Sequence, residues 1–227
     1  MYRVLIRFCI CVSLCIPALS LAERLNGLNL QPGDQLSIEG PIELSLSYAS
    51  QVSVLEASGD YDVEKNGNII RLIATTPARI AIEVPELATL NMIGGKLKIK
   101  VQGNERLTVS ELIAPEVHLH LVGRSRFDAE LVETDYLFIA LTEQGKASLS
   151  HVSADLLELD MAGHGGLNVA GEATRQHVEL SDYAHYDAGD LQSEDVTVAL
   201  SDYSAGLIQT KNQPVVSATR FTSLSAR

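Results

Sequence analysis

The tetrapeptide Leu-Ser-Asp-Tyr occurs at Leu180–Tyr183 and again at Leu200–Tyr203, an interval of 20 residues. Apolar residues that close short strand-like runs keep the same interval: Leu121, Leu141, Met161, Leu180 and Leu200 are spaced by 20, 20, 19 and 20 positions. Those runs, such as Val117-His118-Leu119-His120-Leu121 and Leu157-Glu158-Leu159-Asp160-Met161, alternate with period two, the mark of a strand with one buried face. Each is followed by a polar, turn-prone phrase, a second short strand such as Phe127–Leu131, and a polar corner such as Glu133-Thr134-Asp135 or Ser193-Glu194-Asp195. Helical solenoids have longer units, about 33 to 47 residues, and carry helix patterning that is absent here. The chain is therefore expected to be all-β: a right-handed parallel β-helix (β-solenoid) with coils of about 20 residues. Equivalent residues would then stack roughly 4.8 Å apart, and the repeated tetrapeptide is one rung written twice.

The region ahead of the repeats reads differently. Asn66-Gly67 sits between alternating runs in Tyr61–Ile73, and this pair supplies the positive φ angles of a tight hairpin. Ile80–Val84 is a further strand. Residues 23–88 are expected to form capping strands and a hairpin, 89–220 the coils, and 221–227 a polar tail, all in a single domain. An N-terminal β cap would cover unpaired backbone at one end of the stack and suppress end-to-end aggregation.

Residues 1–22 have a separate meaning. Arg3 and Arg7, an apolar run from Val4 to Leu21 and a closing Ser20-Leu21-Ala22 make a secretory signal peptide cleaved after Ala22. A membrane anchor fits less well, because the run is short and interrupted by Arg7 and Pro17. Lipidation at Cys15 is disfavoured by bulky Leu14 before it. All three cysteines, Cys9, Cys11 and Cys15, lie in this segment, so the mature chain would have no disulfide and would rely on its core. Without Arg3 and Arg7, 15 basic residues face 29 acidic ones, a net charge of about −14. Such a field repels phosphate backbones and anionic head groups, which argues against nucleic-acid and membrane-surface partners.

The third position after each anchor reads Arg124, Gln144, His164, Tyr183 and Tyr203, which a solenoid would align as a column on one edge. Glu143, Asp182 and Asp202 flank it on one side, with Arg126, Lys146 and His185 on the other. Planar polar and aromatic side chains in a row suit a glycan or an extended peptide, since rings pack on apolar sugar faces while their tips hydrogen-bond. The plain alternative is that these are solvated corners where any polar residue serves.

A polysaccharide-cleaving reading needs two carboxylates in different environments, about 5 to 10 Å apart. Asp182 and Asp202 would be close enough, but nothing in the sequence separates their environments. Metal sites are not supported either. His118 and His120 share a strand face without further ligands, while His164, His177 and His185, or Asp182, Asp187, Asp190 and Asp202, lack a recognised metal-binding spacing. No nucleophile elbow or phosphate loop is present, and no cofactor is expected.

Tyr61-Asp62-Val63 with its hairpin, "IAIEVPELATLNMIGG" from Ile80 to Gly95, and the units ending in Leu-Ser-Asp resemble the "putative auto-transporter adhesin, head GIN domain" family of exported bacterial proteins. That family writes Leu-Ser-Gly-Ser-Gly-Asp after its strands, where this chain has Ala162-Gly163-His164-Gly165-Gly166 or Ser-Asp-Tyr. The resemblance, over about residues 37–218, implies a parallel β-helix and a non-catalytic, adhesin-like role at the envelope or cell surface. The partner would be a glycan or an envelope protein. A structural or self-assembly module, with homo-oligomers, is the alternative, and a polysaccharide-active enzyme the second. Periplasmic and secreted locations both fit an exported chain, with no membrane insertion after cleavage.

Overall fold

The computed structural model describes residues 35–48, 53–84, 87–219 and 221–227. The leader expected at residues 1–22, Cys15 included, lies outside the described residues. In chain order the strands are β1 (Gln35–Glu39), β2 (Ile42–Tyr48), β3 (Ser53–Ser58), β4 (Tyr61–Asn66), β5 (Ile69–Ala74) and β6 (Ala78–Val84). Next come β7 (Leu87–Ile93), β8 (Lys96–Gly103), β9 (Arg106–Ile113) and β10 (Glu116–Gly123). Four long strands follow, β11 (Arg126–Leu141), β12 (Lys146–Met161), β13 (Gly166–Leu180) and β14 (His185–Leu200), then β15 (Ala205–Thr210), β16 (Val215–Ala218) and β17 (Ser223–Ala226). The described residues contain no helix.

Each long strand is nearly a whole coil and pairs in parallel with the coils before and after it. Leu141, Met161, Leu180 and Leu200 are direct partners in successive coils, as the 20-residue period requires. Three ladders run through the stack. The first takes runs such as 126–129 and 146–149, the second 131–133 and 152–154, and the third 136–141 and 156–161. Alternation sets one side chain in two inward: Leu137, Ile139 and Leu141 are buried beneath Leu157, Leu159 and Met161. Continuous apolar columns of this kind supply most of the stability, about 25 cal/mol for each Å² of apolar surface removed from water.

The spacing of 19 between Met161 and Leu180 is a one-residue deletion, and it is absorbed locally. The register of β12 on β13 shifts between Leu149 and Val152 and then resumes. Gly171 takes up the strain with φ of +122°, and a Cβ there would lie 2.2 Å from the Val152 carbonyl oxygen. One polar chain interrupts the apolar interior. Tyr186 Oη donates to Gln176 Oε1 at 2.7 Å, and Gln176 Nε2 donates to Ser193 Oγ at 2.5 Å, all three residues being buried. Full pairing is what makes such a group tolerable in a core, and burial pushes the Tyr186 hydroxyl pKa up.

Parallel rungs begin well before the visible repeats. β1 lies between β5 and β7, with Ile38 opposite both Leu72 and Met92, and β2 lies between β6 and β8. The chain lays down one rung, adds the next on one side, and then passes to the other. The expected hairpin at Asn66-Gly67 joins β4 to β5 in antiparallel pairing, and β3 is antiparallel to β6. The described residues between 35 and 84 thus contribute parallel rungs of the sheet as well as antiparallel strands. No vertical period is legible in this segment because its spatial neighbours are not in chain order.

A candidate ligand-binding edge and groove

The turn that follows each third-ladder run forms one edge of the solenoid, and each residue of Leu-Ser-Asp-Tyr has a distinct task there. The leucine is core. The serine doubles a vertical link: Ser181 N–H donates to Met161 O at 2.8 Å while its hydroxyl donates to the same oxygen at 3.3 Å. Ser201 does the same to Leu180 O, at 2.9 and 3.5 Å. The aspartate sits in the left-handed region, with φ of 59° at Asp182 and 60° at Asp202. Other coils place Gly103, Gly123, Glu143 and Gly163 there, all with positive φ. Aspartate tolerates this conformation better than most residues, so it can stand where other coils have glycine.

Asp182 and Asp202 therefore serve turn geometry. Both are exposed, and the Asp182 carboxylate accepts the Gly163 N–H at 3.0 Å. The Asp202 N–H donates to Thr219 Oγ1 at 3.2 Å.

The expected column is built on a backbone ladder. Gln144 N–H donates to Gly123 O at 2.9 Å, Tyr183 N–H to Gly163 O at 2.8 Å and Tyr203 N–H to Asp182 O at 2.7 Å. His164 and Arg124 make the same link to Glu143 O and Gly103 O. Arg124 and Gln144 are exposed at the start of the column, and the rings follow them. His164 stacks on Tyr183 with centroids 4.7 Å apart and planes 8° apart, and Tyr183 stacks on Tyr203 at 5.1 Å and 3°. The stack ends on Phe221, 5.2 Å from Tyr203, in the segment that the sequence suggested was only a polar tail. Each contact is worth about 0.5–1.5 kcal/mol.

In-register stacking turns the ring faces of Tyr183 and Tyr203 toward their neighbours. The edge therefore presents ring rims and phenolic tips, where the sequence suggested open faces for sugars. Tyr183 and Tyr203 are each 53% exposed.

Beside the rings runs a groove of about 510 Å³, walled by His164 and Tyr183 and floored by the outward side of the first ladder. Lys146, Gly166 and His185 are successive rungs of one column, and Gly166 contributes no side chain between its two neighbours. That gap makes the notch. Arg126 continues the column, and Asp128, Ser148 and Asn168 line the next one, with the Asp128 carboxylate engaged by Arg106. Sequence reasoning aligned Arg126, Lys146 and His185 beside the rings but missed the notch. The signal was the second glycine of Gly165-Gly166 at a position that is basic on either side.

A second cluster lies outward on the third ladder. Lys98 pairs with Glu43, and Lys96 pairs with Glu116 at 2.5 Å. Hydrogen bonds from Lys98 and Lys96 hold the Glu43 and Glu116 carboxyls below the ordinary carboxylate value. His118 Nε2 lies 2.6 Å from Glu116 Oε1 and packs edge-on to Tyr136, 5.5 Å between centroids. Burial, with His118 beside it, lowers the His120 pKa, and burial together with a hydrogen bond to Glu158 pushes Tyr136 up to about 12. His177, whose neighbour is Glu179, lies on the third ladder, away from His164 and His185. Among the described residues, no three His, Cys, Asp or Glu side chains are grouped to hold a metal.

Together these ladders define a parallel β-solenoid protein of about seven turns with a ring-lined edge. The chain belongs to the "Putative auto-transporter adhesin, head GIN domain" family, which matches residues 23–213. A putative adhesin from Parabacteroides merdae shares the fold at 11% identity and a TM-score of 0.51, over 87% of this chain and 94% of that one. A putative adhesin and a "putative lipid binding protein", both from Parabacteroides distasonis, align with TM-scores of 0.48 and 0.42 and identities of 10% and 14%. These two alignments each cover 87% of this chain, and 94% and 91% of the respective neighbour. No protein of curated function matches the chain.

Proposed function

We propose that this protein is a non-catalytic, exported, adhesin-like surface protein that binds a saccharide chain in the groove beside the ring column. The observation that carries this reading is the groove itself: an open trough walled by the ring rims of His164 and Tyr183 and the Tyr183 phenol, with Tyr203 stacked behind Tyr183, over a floor of polar side chains. Saccharides are held by that combination of hydrogen-bonding groups and flat apolar rims. The groove crosses four successive rungs, from Arg126 through Lys146 and Gly166 to His185, so an extended chain can be contacted at each of them. The non-catalytic part of the reading is supported by the carboxylates nearest the edge, which shape turns on an exposed surface. Membership of an adhesin family supports the surface role.

The test is a saccharide array read with the wild type, a Tyr183→Phe/Tyr203→Phe double variant and a Tyr183→Ala/Tyr203→Ala double variant. The phenylalanine pair keeps the stack and removes the tips, so binding should weaken while the melting temperature holds. The alanine pair removes three ring contacts and should weaken both. Binding by the wild type that neither variant alters would overturn the reading.

A further inference from the structure

The groove also carries a statement about charge, which rests on the saccharide reading above. Arg106, Arg126 and Lys146 are direct neighbours in successive rungs, three like charges in one column of a chain whose formal net charge is −12. Like charges placed opposite each other across strands are destabilising. Only Arg106 is neutralised, by Asp128 at 2.8 Å. Arg126, Lys146 and His185 have no ion-pair or hydrogen-bonding side-chain partner among the described residues, although acids outnumber bases 29 to 17 in the sequence. Asp187, the acid next to Asn168, lies one rung beyond the notch and accepts the Gly189 N–H at 3.2 Å.

The notch lies within this basic column. Gly166 has no positive φ, and a Cβ placed on it would come no closer than 4.0 Å to anything but its own neighbours in the chain. The fold does not require glycine at this position, and its consequence is an opening between Lys146 and His185, two rungs or roughly 10 Å apart.

We infer that the groove takes an anionic saccharide, one acidic group seated in the notch at Gly166 between Lys146 and His185 and another reaching Arg126. The missing counter-charge is supplied by the ligand.

The experiment is calorimetric titration of the full mature chain with oligogalacturonide and with the same oligomer fully methyl-esterified, which keep one sugar backbone and differ in whether its carboxyl groups carry charge. A sulfated oligosaccharide and its desulfated form make a second pair, to separate carboxylate from sulfate as the source of charge. In at least one pair the acidic form should bind about tenfold more tightly or better, as one or two charge-assisted hydrogen bonds provide. Its advantage should shrink as salt rises from ~50 mM to ~500 mM. Lys146→Gln should remove most of the preference, and Gly166→Gln, which fills the notch without replacing a ring or a charged residue, should weaken the acidic form several-fold at unchanged melting temperature. Equal affinity for charged and neutral partners in both pairs would overturn the charge inference and leave the saccharide reading standing. Failure of all four ligands to bind would overturn the inference, and the wider array above would then decide the saccharide reading separately. Tight acidic binding indifferent to both variants would place the site elsewhere and also overturn it.

Discussion

Two columns of charge on the same solenoid obey opposite rules. On the third ladder, Glu43, Lys96 and Glu116 succeed one another rung by rung with alternating sign, and Lys98 closes on Glu43 from the adjacent column. On the first ladder, Arg106, Arg126 and Lys146 succeed one another with the same sign. The backbone is the same parallel ladder in both, so geometry does not dictate the difference. Alternation neutralises a surface within the molecule; repetition of one sign leaves a field directed outward. The first suits a face that only has to be stable, and the second one that meets something else.

The largest disturbance to this comparison comes from breaking the frame that holds both columns at rung spacing. Gly163→Ala puts a side chain at φ of +91° with its Cβ 2.6 Å from the Glu143 carbonyl oxygen. The expected loss is about 1–3 kcal/mol from backbone strain alone, read as a lower midpoint in urea unfolding. A midpoint equal to that of the wild type would show that the turn edge is pliant.

A smaller effect is expected from the alternating column. Glu43→Gln with Glu116→Gln should destabilise by about 0.2–1 kcal/mol per pair, since these ions are partly exposed. Both folded carboxyls titrate below the unfolded value near 4.5, so their contribution is present above that pH and is lost as pH falls through the lowered folded values. The deficit of the double variant should accordingly shrink when unfolding is repeated below about pH 4, and a deficit constant with pH would assign it to packing.

The smallest effect should have the opposite sign. Lys146→Glu converts a like-charge neighbour of Arg126 into an opposite one, so the protein should gain about 0.2–1 kcal/mol while losing the anionic preference of the groove. A loss of stability instead would mean that the basic column already has a stabilising role inside the fold.

Much of this architecture was legible before any coordinates. The period of twenty predicted that Leu180 and Leu200 meet, and the same offset aligned His164, Tyr183 and Tyr203, because in a solenoid a vertical neighbour is a fixed distance away in the chain. Phe221 escaped because it follows Tyr203 by 18 residues, in a coil shortened where the register between Ala188 and Gln192 shifts. The rungs of β1 and β2 escaped for a stronger reason, since their neighbours β5 and β7 lie on opposite sides and out of chain order.

By itself, then, the sequence determined the coil, its inward columns and the alignment of its turns, all consequences of a local period repeated at constant length. Only the tertiary structure decided what those alignments leave open. The ring faces are closed by their own stacking, Asp182 and Asp202 take the left-handed place of glycine, and Gly166 opens a notch between two basic side chains. A period states which residues are neighbours. Which surfaces remain for a ligand depends on how those neighbours fill space, and that requires three dimensions.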